Sequence, residues 1–283
     1  AADDNFGNAV SLNHDGTVLA VGAHQANGFQ GQVRVFQYSS GSWAPLGAVI
    51  GSEGGLGSFG SSVSLNKNGD ILAAGDRLAN GNQGIVRVFQ YSNSTWSLLG
   101  APMVGLTGSF EFGLKARLGT SVSLNSAGNK VVVGALRYSQ VYELSNASWV
   151  QLGPDIAGGE SVSLSSDGDV VAVGKSLDAK ARVFQYANGN WSRMGGPLGG
   201  DGNSVVSLNG DGYYVAVGCS SCSSGAKVKV FHYSTGTWEQ VGAELPGGNS
   251  KAMVSLNRIG NILAVGMPEG NSLARVFQST LTS

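Results

Sequence analysis

Few side chains in this 283-residue sequence have the type and spacing that do chemistry. The only two cysteines, Cys219 and Cys222, lie in a Cys-Ser-Ser-Cys run. A redox dithiol has this spacing, but it belongs at a helix N-terminus in a βαβ unit, and none surrounds the pair. Zinc needs four ligands, and no further histidine or cysteine accompanies these two. The pair therefore reads as a disulfide within one loop, or as two idle thiols. Histidine occurs three times, as His14, His24 and His232. His14 sits in a turn and His232 in a repeated strand, which leaves His24 in a loop of its own. The loop acids are Asp76, Glu111 and Asp201, from three different connections, and no G-x-S-x-G elbow accompanies the many serines. These residues assemble no triad and no metal set. The sequence predicts no metal and no cofactor.

Composition narrows the classes. There are 17 basic and 18 acidic side chains for a net charge of −1, without the basic excess that nucleic acid or an anionic membrane surface requires. A hydrophobic share of 42% exceeds what a disordered chain carries. No run of 18 apolar residues occurs, and no charged n-region with an apolar h-region opens the sequence. Any signal peptide is expected to have been removed. Glycine stands out at 45 residues, against 12% charged residues.

The elements that must position any site are set by a repeat. SLNHDGTVLAVG at Ser11 returns as SLNKNGDILAAG at Ser64, SLNSAGNKVVVG at Ser123, SLSSDGDVVAVG at Ser163, SLNGDGYYVAVG at Ser207 and SLNRIGNILAVG at Ser255. A second phrase follows each copy, as in VRVFQY at Val33 and Val86, with a divergent SQVYEL from Ser139. A third places Trp four residues before Gly, from Trp43–Gly47 to Trp238–Gly242, and uses all five tryptophans. Each unit reads as four short strands: an alternating SVSLN, a β-branched VLAVG, VRVFQY and the Trp run. Glycine in the first turn supplies φ > 0. Four-stranded units of this length describe propeller blades. The expected fold is all-β, a six-bladed β-propeller of four-stranded antiparallel blades in one domain over 1–283. Its units run approximately 6–53, 54–112, 113–157, 158–200, 201–249 and 250–283. The sixth lacks a Trp strand and is expected to be incomplete, with an edge open to strand addition.

A basic residue recurs in the third strand, at Arg34, Arg87, Arg182, Lys229 and Arg275. Its repetition predicts a role within the blade, bonding carbonyls or stacking on an aromatic. Three sequons, at Asn93, Asn146 and Asn190, fall between strands three and four and point to glycosylation and secretion. The connections between strands two and three, and between successive blades, vary in length and composition. Binding residues are expected on that variable face: His24, Gln25, Asn27, Asp76, Arg77, Glu111, Lys115 and Arg137.

Phe6-Gly7 and Phe59-Gly60, Val21-Gly22-Ala23 and Val133-Gly134-Ala135, and the G-x-V-x-V-F runs at Gly31–Phe36 and Gly84–Phe89 resemble the FG-GAP repeats of integrin α-like propellers. The resemblance implies a propeller and an adhesive role. It also implies calcium in the first hairpin, but Ser207 and Val215 stand where carboxylates belong around Asp211. Asp15, Asp167 and Asp211 therefore read as turn residues. Taken together, these features predict a non-enzymatic extracellular recognition, adhesion or assembly module. Its partner would be a protein or a glycan, with no nucleic acid and no membrane insertion. The alternatives are a lectin and a hydrolase or lyase with its site at the channel mouth.

Overall fold

The computed structural model describes residues 2–52, 57–107, 113, 115–174, 180–199, 203–219, 225–248, 252–267 and 273–279. Six antiparallel sheets follow one another along the chain, one per repeat, and the fold is an all-β six-bladed propeller. The chain divides into two compact units, Ala1–Asp155 and Ile156–Ser283.

In the first unit, blade 1 is built from Phe6–Leu12, Val18–Ala23, Gln32–Ser39 and Ser42–Pro45. Blade 2 is Phe59–Leu65, Ile71–Asp76, Ile85–Ser92 and Thr95–Leu98. Blade 3 is Ser121–Leu124, Lys130–Gly134, Tyr138–Ser145 and Ser148–Gln151. The outermost strand is interrupted in blade 1. It breaks at Gly47, which has φ +78, and resumes as Ile50–Gly51 against Gln32 and Val33.

In the second unit, blade 4 is Ser161–Leu164, Val170–Gly174, Arg182–Ala187 and Asn190–Arg193. Blade 5 is Ser204–Leu208, Tyr214–Cys219, Lys227–Ser234 and Thr237–Pro246. Blade 6 has three strands among the described residues, Met253–Leu256, Ile262–Met267 and Leu273–Gln278, in keeping with an incomplete last blade.

The repeated phrases have distinct physical tasks. The asparagine of S-L-N folds its side chain into the first turn. Asn66 Oδ1 accepts from the N–H groups of Gly69, Asp70 and Ile71 at 3.0, 3.1 and 3.0 Å. Asn13, Asn125, Asn209 and Asn257 make the same kind of bond, and Ser165 substitutes its hydroxyl in blade 4. The serine of S-L-N looks the other way, to the next blade. Ser11 Oγ accepts from Leu65 N–H, Ser163 Oγ from Leu208 N–H and Ser207 Oγ from Leu256 N–H, at 2.9 to 3.0 Å.

The tryptophan and glycine of W-x-x-L-G meet across blades rather than within one. Trp96 Nε1–H donates to the Leu46 carbonyl at 2.9 Å, and its ring lies where a Cβ on Gly47 would be. Trp149 stands in the same way to Leu99 and Gly100, and Trp238 to Met194 and Gly195. Between the blades, β-branched and small residues close each layer. Val18, Ala20, Val33 and Val35 of blade 1 pack on Val63, Leu65 and Leu72 of blade 2. Equivalent clusters join blades 2 and 3, 4 and 5, and 5 and 6. Burying each such valine or leucine stabilises the fold by about 1.5–3 kcal/mol.

Candidate functional site

The connections of the variable face divide into clasps and exposed segments. In blades 1 and 2 the loop after strand two carries one shared motif, Ala26-Asn27-Gly28-Phe29-Gln30-Gly31 and Ala79-Asn80-Gly81-Asn82-Gln83-Gly84. Asn27 and Asn80 adopt φ +54 and +51, left-handed values that asparagine tolerates. Each loop holds the start of the next blade. The carbonyls of Phe29 and Gln30 accept from Gly57 and Phe59, and those of Asn82 and Gln83 accept from Arg117 and Leu118. Gly31 must be glycine, because its Cβ would lie 2.2 Å from the Phe59 carbonyl oxygen. Gln25 starts the first of these turns, with its N–H on the Asp4 carbonyl. Two of the connections that look variable along the chain are therefore repeated structural parts.

The remaining candidates separate further. Asp76 is buried, and its Oδ1 accepts from the Ser58 N–H at 2.6 Å, which ties strand two of blade 2 to the chain entering that blade. Glu111 lies outside the described residues. Lys115 and Arg137 are half-buried on the connection into blade 3 and on the loop after its second strand.

His24 and Arg77 lie within electrostatic reach of each other. They follow the second strands of adjacent blades, after Ala23 and Asp76, whose partners across the sheet are Phe6 and Phe59. His24 Nδ1 and Arg77 Nε are both buried, and neither has a hydrogen-bond partner among the described residues. Burial, and then the positive charge of Arg77, push the imidazole pKa below its ordinary value. Both causes favour the neutral imidazole over the charged one. Arg87 lies in the third strand of blade 2 and is only 8% exposed. Its guanidinium sits 5.8 Å from the centre of the Phe59 ring, and its Nε and Nη1 have no partner among the described residues. Cation–π attraction offsets part of the desolvation of such a charge and leaves the donors unsatisfied. Residue type alone shows Arg87 as a blade residue, and its two empty donors appear only in three dimensions.

Blade 1 repeats the Arg87 arrangement, and blades 3 and 5 use the position differently. Arg34 lies 6.0 Å from the Phe6 ring, and Lys229 pairs with Glu244 at 2.7 Å. Lys227 completes that pair at 2.8 Å, and the two ammonium groups hold the Glu244 pKa down to about 2. In blade 3, Gln140 takes the place of the arginine and Tyr142 that of the phenylalanine, by their pairing with Val133 and Val131. Tyr142 Oη donates to Gln140 Oε1 at 2.9 Å, and Gln140 Nε2 donates to Asp155 Oδ1 at 2.9 Å. Burial, then Tyr138 and Asp155, push the Tyr142 phenol up to about 12. The group stays protonated, and this network acts as structure.

The turn aspartates behave as turn residues. Asp15 Oδ1 accepts from the Thr17 N–H and hydroxyl, and Asp211 Oδ1 from the Tyr213 N–H. Among the described residues no three His, Cys, Asp or Glu side chains group as metal ligands. Cys219 is disulfide-bonded, whereas Cys222 lies outside the described residues. Asn93 and Asn146 occupy turns with φ +49 and +48, and Asn190 begins the outer strand of blade 4. All three are exposed, and the first two owe their asparagine to the turn geometry. No described helix is long and apolar enough to cross a membrane.

No family model matches the chain, and no curated sequence does. Similar solved structures are propellers. A candidate 6-phosphogluconolactonase of Bacteroides uniformis superposes with a TM-score of 0.71 at 13% identity, over 97% of this chain and 81% of that one. Its counterpart from Bacteroides fragilis gives 0.69 at 15%, over 96% and 80%. The periplasmic gluconolactonase of Pseudomonas aeruginosa gives 0.59 at 15%, over 95% and 85%. At such identities the likeness is one of fold. The three are named as lactone hydrolases, and no FG-GAP family model matches the chain. The functions named for these neighbours run against the expectation of a non-enzymatic recognition module.

Proposed function

We propose that the chain is a hydrolase that opens a cyclic ester of a sugar acid, at the variable face where His24 and Arg77 meet. The reading rests on one observation: the buried, unpartnered Nδ1 of His24 beside the buried, unpartnered Nε of Arg77. The names of the similar propellers support the substrate class. In this reading neutral His24 takes a proton from water as the water oxygen bonds to the lactone carbonyl carbon. Arg77 donates to the oxyanion as it forms. Collapse breaks the ring C–O bond, and the proton passes from His24 to the departing ring oxygen, leaving an open hydroxy acid. The disulfide at Cys219 fits a protein exported to an oxidising compartment.

Two lactones test the reading, glucono-1,5-lactone and its 6-phosphate, each followed above its spontaneous hydrolysis. Turnover of either by the full chain is expected to fall about 100-fold or more in His24→Gln and in Arg77→Gln. Hydrolysis of both lactones at the buffer rate, or an undiminished rate in His24→Gln, removes the proposal.

A further inference from the structure

One position of the third strand is answered by an acid in some blades and not in others. It pairs with the residue just before the glycine that ends strand two. In blades 2, 3 and 5 it is Arg87 opposite Ala74, Gln140 opposite Val133 and Lys229 opposite Val217. In blades 3 and 5 its donors reach a carboxylate of the same blade. Gln140 Nε2 donates to Asp155 Oδ1 at 2.9 Å, and Lys229 Nζ meets Glu244 Oε1 at 2.7 Å. Both acids stand six residues after the tryptophan of their blade, Trp149 and Trp238.

Blade 2 keeps the cation and lacks the acid. Six residues after Trp96 comes Pro102, whose side chain has no polar atom. Sheet register puts it in the same place. Glu244 immediately precedes Leu245, the partner of Val228, and Pro102 immediately precedes Met103, the partner of Val86. Each therefore stands beside the cation that follows in the third strand, Lys229 or Arg87.

Burial supplies an independent observation. Arg87 is only 8% exposed, and its Nε and Nη1 are buried with no partner among the described residues. Buried donors are ordinarily paired, and a buried charge without a counter-ion is strongly destabilising. The Phe59 ring, 5.8 Å from the guanidinium, answers its face and leaves the N–H groups at its edge unmet. A carboxylate is the acceptor that matches a guanidinium edge in charge and shape.

From the missing acid and the empty donors we infer that Arg87 binds a small carboxylate from solution. The ligand takes the place that Asp155 and Glu244 fill in blades 3 and 5. It enters beside Pro102, which is exposed. Two sources share this chemistry, a simple carboxylate such as acetate and the carboxylate of a sugar acid such as gluconate. The site stands independently of the hydrolase reading, because its occupation needs no lactone and no turnover.

Thermal melts of the full chain in sodium acetate, sodium gluconate and sodium chloride at equal ionic strength test this inference. A bound carboxylate should raise Tm saturably above its value in chloride, by about 2–3 °C once the anion is about tenfold above Kd. A rise in acetate shows that any small carboxylate binds, and a rise in gluconate alone shows that a sugar acid does. Arg87→Met keeps a long side chain beside Phe59 without the donors and should abolish the rise. Pro102→Glu changes an exposed residue, supplies the acid of blades 3 and 5, and should abolish the rise while increasing Tm in chloride. It gives the same reading should Arg87→Met not fold. No rise in either carboxylate overturns the inference. So does a rise that persists in either variant, since it is then a general salt effect.

Discussion

The hydroxyl of Ser64 accepts a hydrogen bond from the backbone N–H of Leu124 at 3.0 Å, joining the inner strands of blades 2 and 3. Ser64→Ala leaves that N–H with no partner between packed sheets and is expected to destabilise the fold by about 1–2 kcal/mol. The same change at Ser255, which is exposed on blade 6, should move the urea midpoint within error. Equal losses at both positions would show that the serine acts within its own strand.

Asn66 is expected to be the more costly residue of the same motif. Its Oδ1 receives three N–H groups, and Nδ2 donates to Asp70 at 2.8 Å. Asn66→Ala should cost about 1–3 kcal/mol, as a buried group left unsatisfied does. Asn66→Asp keeps the acceptor for the three N–H groups but sets a carboxylate oxygen against Asp70 Oδ1, so it should recover little of that loss at neutral pH and more as pH falls into the carboxylate range, again read from urea unfolding.

Two glycines give a matched pair. A Cβ on Gly22 would sit 2.0 Å from the carbonyl oxygen of Gly60, which is backbone and cannot swing aside. Gly22→Ala should cost about 1–3 kcal/mol or prevent folding, as overpacking does. Gly266→Ala, whose Cβ would meet Met253 at an ordinary 3.7 Å, should be neutral within about 0.5 kcal/mol. Thermal melts of the two variants at low concentration provide the comparison.

The pH dependence of lactone hydrolysis should report His24. Its folded pKa is lowered by burial and by Arg77. The neutral base therefore persists below the ordinary histidine value of 6.5, and the rate should fall only as pH drops through the lower, folded value. Arg77→Gln removes one depressing cause, so the acid limb of the pH–rate profile should move to higher pH. Linkage runs in the same sense. A lowered histidine pKa favours folding at neutral pH, and that contribution is lost as pH falls below the unfolded value through the folded one. A limb that stays in place in Arg77→Gln would uncouple the two residues.

The blades are visible in the sequence because their packing demands recur with the repeat. S-L-N, L-A-V-G and W-x-x-L-G each mark a contact made again in successive units. The partner of each contact is less visible. Trp96 and Gly100 sit four apart in sequence, yet the ring of Trp96 covers Gly47 of the preceding blade, and only the stacking of sheets shows this. The A-N-G-x-Q-G motif was present in the sequence as two copies and was obscured by the different residues on either side, His24-Gln25 and Arg77-Leu78. The candidate site was legible only in part. His24 and Arg77 stand out as loop residues, whereas their shared burial and the empty donors of Arg87 depend on neighbours distant in sequence. Asp76 shows the converse: an acid that looks like a loop ligand is spent on the Ser58 N–H.

The inter-blade bonds of Ser11, Ser64, Ser163 and Ser207 span 54, 60, 45 and 49 residues. Each therefore joins a repeat only to its immediate successor. Chain-closure entropy grows slowly with separation, so these links form at similar cost anywhere along the molecule. Folding can then begin in any blade and spread by adding neighbours, as in other nearest-neighbour arrays. Gain or loss of a whole repeat during evolution would disturb one junction and leave the rest intact.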